Sequence, residues 1–156
     1  MSKSNHPADT EYFKYVNKNP SGWHCGDCVI RALSEVLNRS WEEIYNDLYK
    51  IGIKKHRMPN DDKVVHKYLI DNGFVKCNMP RKIDNSRYTV CEYLRNQKYG
   101  ALNMLNDSRP IFASVGTHHV TAIIYDSFGY RVHDIWNSSN EKLGYYYIKT
   151  LKYEEA

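Results

Sequence analysis

Over the first two thirds of the chain apolar residues recur at helical spacing, and over the last third they fall into short strand-like runs. Val29, Ala32, Leu33, Val36 and Leu37 form one stripe, with Ile30 beside it. They predict a buried helix that begins near Asp27, behind a breaker cluster holding Pro20 and Gly22, and ends near Asn38. Ser40 and Glu43 make a capping box for a second helix with Trp41, Ile44, Tyr45, Leu48 and Ile51 on its apolar face, ending at Gly52. Asn60 is the expected cap of a third helix carrying Val64, Val65, Tyr68 and Leu69, with Gly73 as its stop. Thr89 and Glu92 form another capping box before a short helix bearing Val90, Cys91 and Leu94.

Segments 111–114, 118–125, 130–135 and 145–151 are β-rich and separated by turn residues, with a hairpin turn expected at 127–129. Segment 74–79 reads as a short strand or extended link, and 53–59, 80–88 and 100–110 read as loops. Helices first and strands afterwards predict α+β, an N-terminal helical half packed on a C-terminal antiparallel β-sheet, rather than alternating βαβ units. Residues 1–16 read as a loose arm in which Tyr12, Phe13, Tyr15 and Val16 make a helical turn docked on the body. The length of 156 residues fits one domain.

Composition narrows the functional classes. The net charge of +4 is mild, and no Lys/Arg run exceeds three residues, so no dedicated nucleic-acid surface is expected. No run is long and apolar enough to suggest a membrane span, and none resembles a signal peptide. Cys25, Cys28, Cys77 and Cys91 are therefore expected to be reduced thiols in a cytoplasmic protein. The 14 tyrosines are expected mainly to pack.

The chemistry concentrates at the start of the first helix. Asp27 is placed to cap it, which puts Cys28 at the first helical position, where the helix dipole favours thiolate. A thiolate needs a proton partner, and the strands supply His118, His119 and His133. His118 and His119 point to opposite faces of a strand, so one of them alone can meet a given partner. A hairpin at 127–129 brings Asp134 alongside the histidine strand, where a carboxylate can fix the imidazole tautomer. Cys25 and Cys28 also read as a C-x-x-C redox pair, but the breaker cluster before them is not the strand that a thioredoxin-like frame requires. Zinc on His24, Cys25 and Cys28 would want a second ligand pair that Cys77 and Cys91 do not make, so no metal or other cofactor is expected.

Cys25-Gly26-Asp27-Cys28-Val29 resembles the C-G-[SA]-C-[WY] signature around the papain nucleophile. The run from His118 to Tyr125 is similar to the histidine strand of papain-like peptidases, and Asp134-Ile135-Trp136 resembles their Asn-Ser-Trp. The order of these motifs, over about residues 19–140, resembles small papain-like proteins of bacteriophages and bacteria.

The resemblance implies a papain-like fold with Cys28 as nucleophile, His118 as general base and acid (His119 being the alternative), Asp134 as the orienting residue and Trp136 as a shield over the His–Asp bond. It implies an oxyanion site at the Cys28 amide plus one more donor. Gly22 stands where the family has glutamine, leaving Asn19, Ser21 and His24 as candidates. The expected activity is thiol-dependent hydrolysis of a peptide or isopeptide bond in a protein substrate, in the host cytoplasm if the chain is phage-encoded. The alternatives are a catalytically silent binder of a host protein and an acyltransferase of the transglutaminase type.

Overall fold

The computed structural model describes residues 6–99 and 108–150. The elements run β1 (Phe13–Tyr15), α1 (Cys28–Leu37), α2 (Trp41–Lys55), α3 (Asp62–Asp71), β2 (Phe74–Cys77), α4 (Val90–Tyr99), β3 (Ile111–Val115), β4 (His119–Asp126), β5 (Gly129–Asp134) and β6 (Leu143–Lys149). All strands join one sheet in the order β1-β5-β4-β3-β6-β2. The α+β class follows directly.

The sheet is mixed, because β1 runs parallel to β5 while the other pairs are antiparallel. It is also not confined to the C-terminal half: β1 and β2 come from the N-terminal half and form its two edges. Residues 13–15 are thus a strand and not a helical turn on a loose arm. Phe13 pairs with Val132 and is fully buried, and backbone bonds from Val16 to Asp134 and from Val132 to Tyr12 flank it. Residues 1–5 of the expected arm, 100–107 of the expected loop, and Leu151 at the end of the last expected strand lie outside the described residues.

Strand alternation sorts the core into two layers. Phe112 and Ala122 face α1, α2 and α3, which contribute Leu33, Ile44, Leu48, Val64 and Leu69. Ile111, Ala113, Val115 and Ile123 face the opposite side, where Leu94 of α4 and Phe13 cover them. Helices on both faces explain why β3 and β4 read as nearly continuous apolar runs. α1 lies chiefly against β4 and thereby carries its first residue to the start of that strand.

The N-terminal caps of α2 and α4 agree with the sequence, whereas the start of α3 and the end of α2 differ. Ser40 Oγ accepts from the Glu43 amide at 3.2 Å, and Thr89 Oγ1 accepts from the Glu92 amide at 3.2 Å. α3 is capped by Asp61, not Asn60, its carboxylate accepting from the Lys63 amide at 2.9 Å. α2 continues past Gly52 to a left-handed cap at His56. The Gly52 signal has another cause: a Cβ there would sit 2.6 Å from the Arg57 carbonyl oxygen.

Candidate active site

Cys28 is the first residue of α1 and is partly buried. Contrary to the sequence reading, the Asp27 side chain does not cap the helix. Its carboxylate is claimed elsewhere. It is ion-paired with Arg31, and its other oxygen accepts from Trp41 Nε1 and Asn19 Nδ2, each at 2.9 Å. Burial would push the Asp27 carboxyl up, but the bonds from Trp41 and Asn19 and the Arg31 charge hold it below the usual range. The amides at the start of α1 are left without a side-chain cap.

The histidine facing Cys28 is His119, not His118. Gly116, Thr117 and His118 form the turn after β3, so β4 begins at His119 and His118 is exposed in the turn. β4 and β5 pair with Ala122 opposite His133, and one further step sets Thr121 opposite Asp134. His119 shares Thr121's face of the strand, two residues along, which is the diagonal position for reaching Asp134. His119 Nε2 lies 2.6 Å from Asp134 Oδ2, and Thr121 Oγ1 donates to the same oxygen at 2.7 Å. With Nε2 committed to the carboxylate, Nδ1 is the ring nitrogen left for Cys28, and thiol and imidazole each shift the other's pKa.

The electrostatics follow from these contacts. Burial alone would raise the Cys28 thiol, but the His119 imidazole and the Val120 amide outweigh it, and the thiol lies below its ordinary value. Burial alone would lower His119, but its bonds to Asp134 and Cys28 raise it to about 9. A lowered thiol beside a raised imidazole favours transfer of the proton from sulfur to nitrogen, an arrangement suited to nucleophilic chemistry.

Behind Asp134 lies Arg31, buried, with Nη2 3.6 Å from Asp134 Oδ1 and Nη1 on Asp27 and, at 3.3 Å, on the Cys25 carbonyl. One guanidinium therefore joins the loop before Cys28 to the carboxylate behind His119. Trp136 stacks obliquely on His119, ring centroids 4.8 Å apart, as its place after Asp134 suggested.

The three expected oxyanion donors do not serve Cys28. Asn19 Nδ2 is spent on Asp27 and on Cys25 Sγ at 3.6 Å, while its Oδ1 accepts from the Ser21 amide and hydroxyl. Ser21 Oγ accepts from the Trp23 amide at 3.1 Å, and His24 Nε2 meets the Tyr15 hydroxyl at 3.2 Å. These bonds brace the loop against Asp27 and β1. His133 also stands apart from the site, held between Glu35 Oε1 and Asp126 Oδ2 at 2.8 Å each, where it ties α1 to the β4–β5 hairpin.

Arg31, Thr121 and Trp41 escaped the sequence reading. Arg31 carried a signal, an arginine at the fourth residue after Asp27 inside an apolar stripe. Thr121 is legible only once His119 is chosen. Among the described residues no group of three or more His, Cys, Asp or Glu side chains is arranged to hold a metal ion, and no helix is long and apolar enough to cross a membrane. No family model, curated protein or solved structure matches the chain.

Proposed function

We propose that the chain is a thiol-dependent hydrolase of the papain-like type that cleaves a peptide or isopeptide bond. The observation that carries this reading is the ordered series Cys28, His119, Asp134, with the thiol lowered and the imidazole raised by one another and by the carboxylate. Structural cysteines have no need of such a partner.

The Cys28 thiolate attacks the carbonyl carbon, and the carbonyl electron pair moves onto oxygen. The uncapped amide of Cys28 is the first donor to that oxyanion. Collapse of the intermediate breaks the C–N bond, and the His119 imidazolium gives its Nδ1 proton to the departing amine. His119, now neutral, takes a proton from water as the water attacks the thioester. The second collapse releases the carboxylic acid and restores the thiolate and imidazolium. Asp134 holds His119 in one tautomer throughout, and Trp136 covers their hydrogen bond.

The test is cleavage of candidate peptide and isopeptide substrates by the wild-type protein and by Cys28→Ala and His119→Gln variants. Loss of cleavage in both variants supports the reading. Cleavage that persists in Cys28→Ala removes the thiol from the mechanism.

A further inference from the structure

Arg31 is a buried cation in α1, among Ile30, Ala32, Leu33 and Val36. Packing alone would be served there by an apolar side chain, because a buried ion cluster carries a desolvation penalty that its Coulombic gain need not repay. Arg31 Nε is buried without a hydrogen-bond partner, which adds to that cost. In return the guanidinium holds two carboxylates and a carbonyl in fixed places.

Its two terminal nitrogens divide the task. Nη1 bonds Asp27 and the Cys25 carbonyl, both in the turn that leads into Cys28. Nη2 lies 3.6 Å from Asp134 Oδ1. That oxygen also accepts from the Ile135 amide at 2.7 Å, while Oδ2 takes His119 and Thr121. The Asp134 carboxylate thus has donors at both oxygens, which fixes its rotation with Oδ2 toward His119. Asp27 is anchored in turn by Trp41 and Asn19. Outward from the sulfur the order is Cys28, His119, Asp134, Arg31, Asp27. Burial pushes the Cys28 thiol up, His119 and the Val120 amide pull it down, and the Arg31 charge adds to the lowering.

We propose that Arg31 is a positioning residue for the Cys28–His119 pair: by spanning the turn before Cys28 and Oδ1 of Asp134, it fixes thiol and imidazole relative to each other. The assignment deepens the hydrolase reading and rests on it for a reaction to serve, but the reactivity of Cys28 reports on it without any substrate. A lysine at this place keeps the charge, yet its single nitrogen cannot span both sides as the planar fork does.

The experiment is the pH profile of iodoacetamide alkylation at Cys28 in the full chain, read by peptide mass spectrometry. It compares wild type with Arg31→Lys, Arg31→Gln, Asp134→Asn and the double variant Arg31→Lys/Asp134→Asn. Loosening His119 from the thiol raises the midpoint of the profile, by about half a pH unit or more in Arg31→Lys and further in Arg31→Gln. With Asp134→Asn already in place, Arg31→Lys is expected to add less than about half of the shift it causes alone, because it acts through the carboxylate. Gly52→Ala, in the last turns of α2, is the control for lost stability and is expected to keep the wild-type profile. Should Arg31→Gln fail to fold, Arg31→Lys and the double variant decide. An unmoved midpoint in Arg31→Lys, additive shifts in the double variant, or an equal shift in Gly52→Ala overturns the assignment and leaves the hydrolase reading standing. A wild-type Cys28 with the profile of Cys77 overturns both.

Discussion

Replacing Asp134 by Asn removes the charge behind His119 while keeping a side chain of nearly the same shape for Thr121 to bond. His119 is held at about 9 against an ordinary 6.5, a rise of about 2.5 units. At about 1.4 kcal/mol per unit that rise corresponds to roughly 3 kcal/mol favouring the imidazolium. Burial opposes it, and the Asp134 bond is the foremost of the contributions that overcome burial. Without the carboxylate, burial is left against Cys28 alone, so His119 is expected to drop by about 2 units or more. The sign for stability follows from linkage: a histidine raised in the folded state stabilises fully below its unfolded value and loses that contribution as pH rises through the folded one. The stability gap between wild type and Asp134→Asn is therefore widest below pH 6.5 and closes as pH passes about 9. The assay is an NMR titration of histidine-labelled protein, with the His119 signal assigned by its loss in His119→Gln, together with thermal melts on both sides of that window. A wild-type His119 that titrates near its ordinary value, or one that Asp134→Asn leaves unmoved, refutes the reasoning.

Three further substitutions test the scaffold. Arg31→Met leaves Asp27 and Asp134 buried without their shared cation, and a loss of about 3–5 kcal/mol is expected in denaturant unfolding, with Arg31→Lys recovering part of it. Gly52→Ala drives a methyl group toward the Arg57 carbonyl, 2.6 Å from the ideal Cβ position, and is expected to lower stability by about 2 kcal/mol or more; a neutral result would mean that the chain after α2 yields freely. Phe13→Ala empties a fully buried position where β1 meets the sheet, with about 3–5 kcal/mol lost and amide exchange accelerated in residues 13–15 before the rest of the sheet.

Much of the site was legible because its parts obey local rules. The stripe from Val29 to Leu37 set the helix, the Gly-Asp-Cys run set its start, and Asp134 followed from a hairpin that must bring β5 beside β4. The histidine was misassigned because β3 runs one residue further than expected, to Val115, and carries its three-residue turn along, so that β4 starts at His119 and not His118. A strand's period of two converts that single step into the opposite face. Asp27 was read as a cap because Asp before a helix usually is one. Arg31, four residues on, was a local hint, but nothing local announces that Trp41 and Asn19, the latter from a loop eight residues away, will claim its carboxylate as well. Of the edge strands, β1 was missed and β2 was left open between strand and extended link, for a similar reason. Residues 13–15 and 74–77 are too short to show a period, and their pairing partners lie about 70 residues or more away in sequence. Gly52 shows the converse: a glycine placed for the close approach of another backbone segment looks, in sequence, like a helix stop.

The central claim is that His119, held by Asp134, lowers the Cys28 thiol and makes it the reactive cysteine of the chain. The most direct measurement is the rate of iodoacetamide alkylation at each cysteine of the native protein at about pH 6, read by peptide mass spectrometry, with Cys77 and Cys91 as internal references. The account predicts that Cys28 reacts at least about tenfold faster than either, and that the advantage disappears in His119→Gln. Alkylation of Cys28 no faster than Cys77, or as fast without His119 as with it, would contradict it.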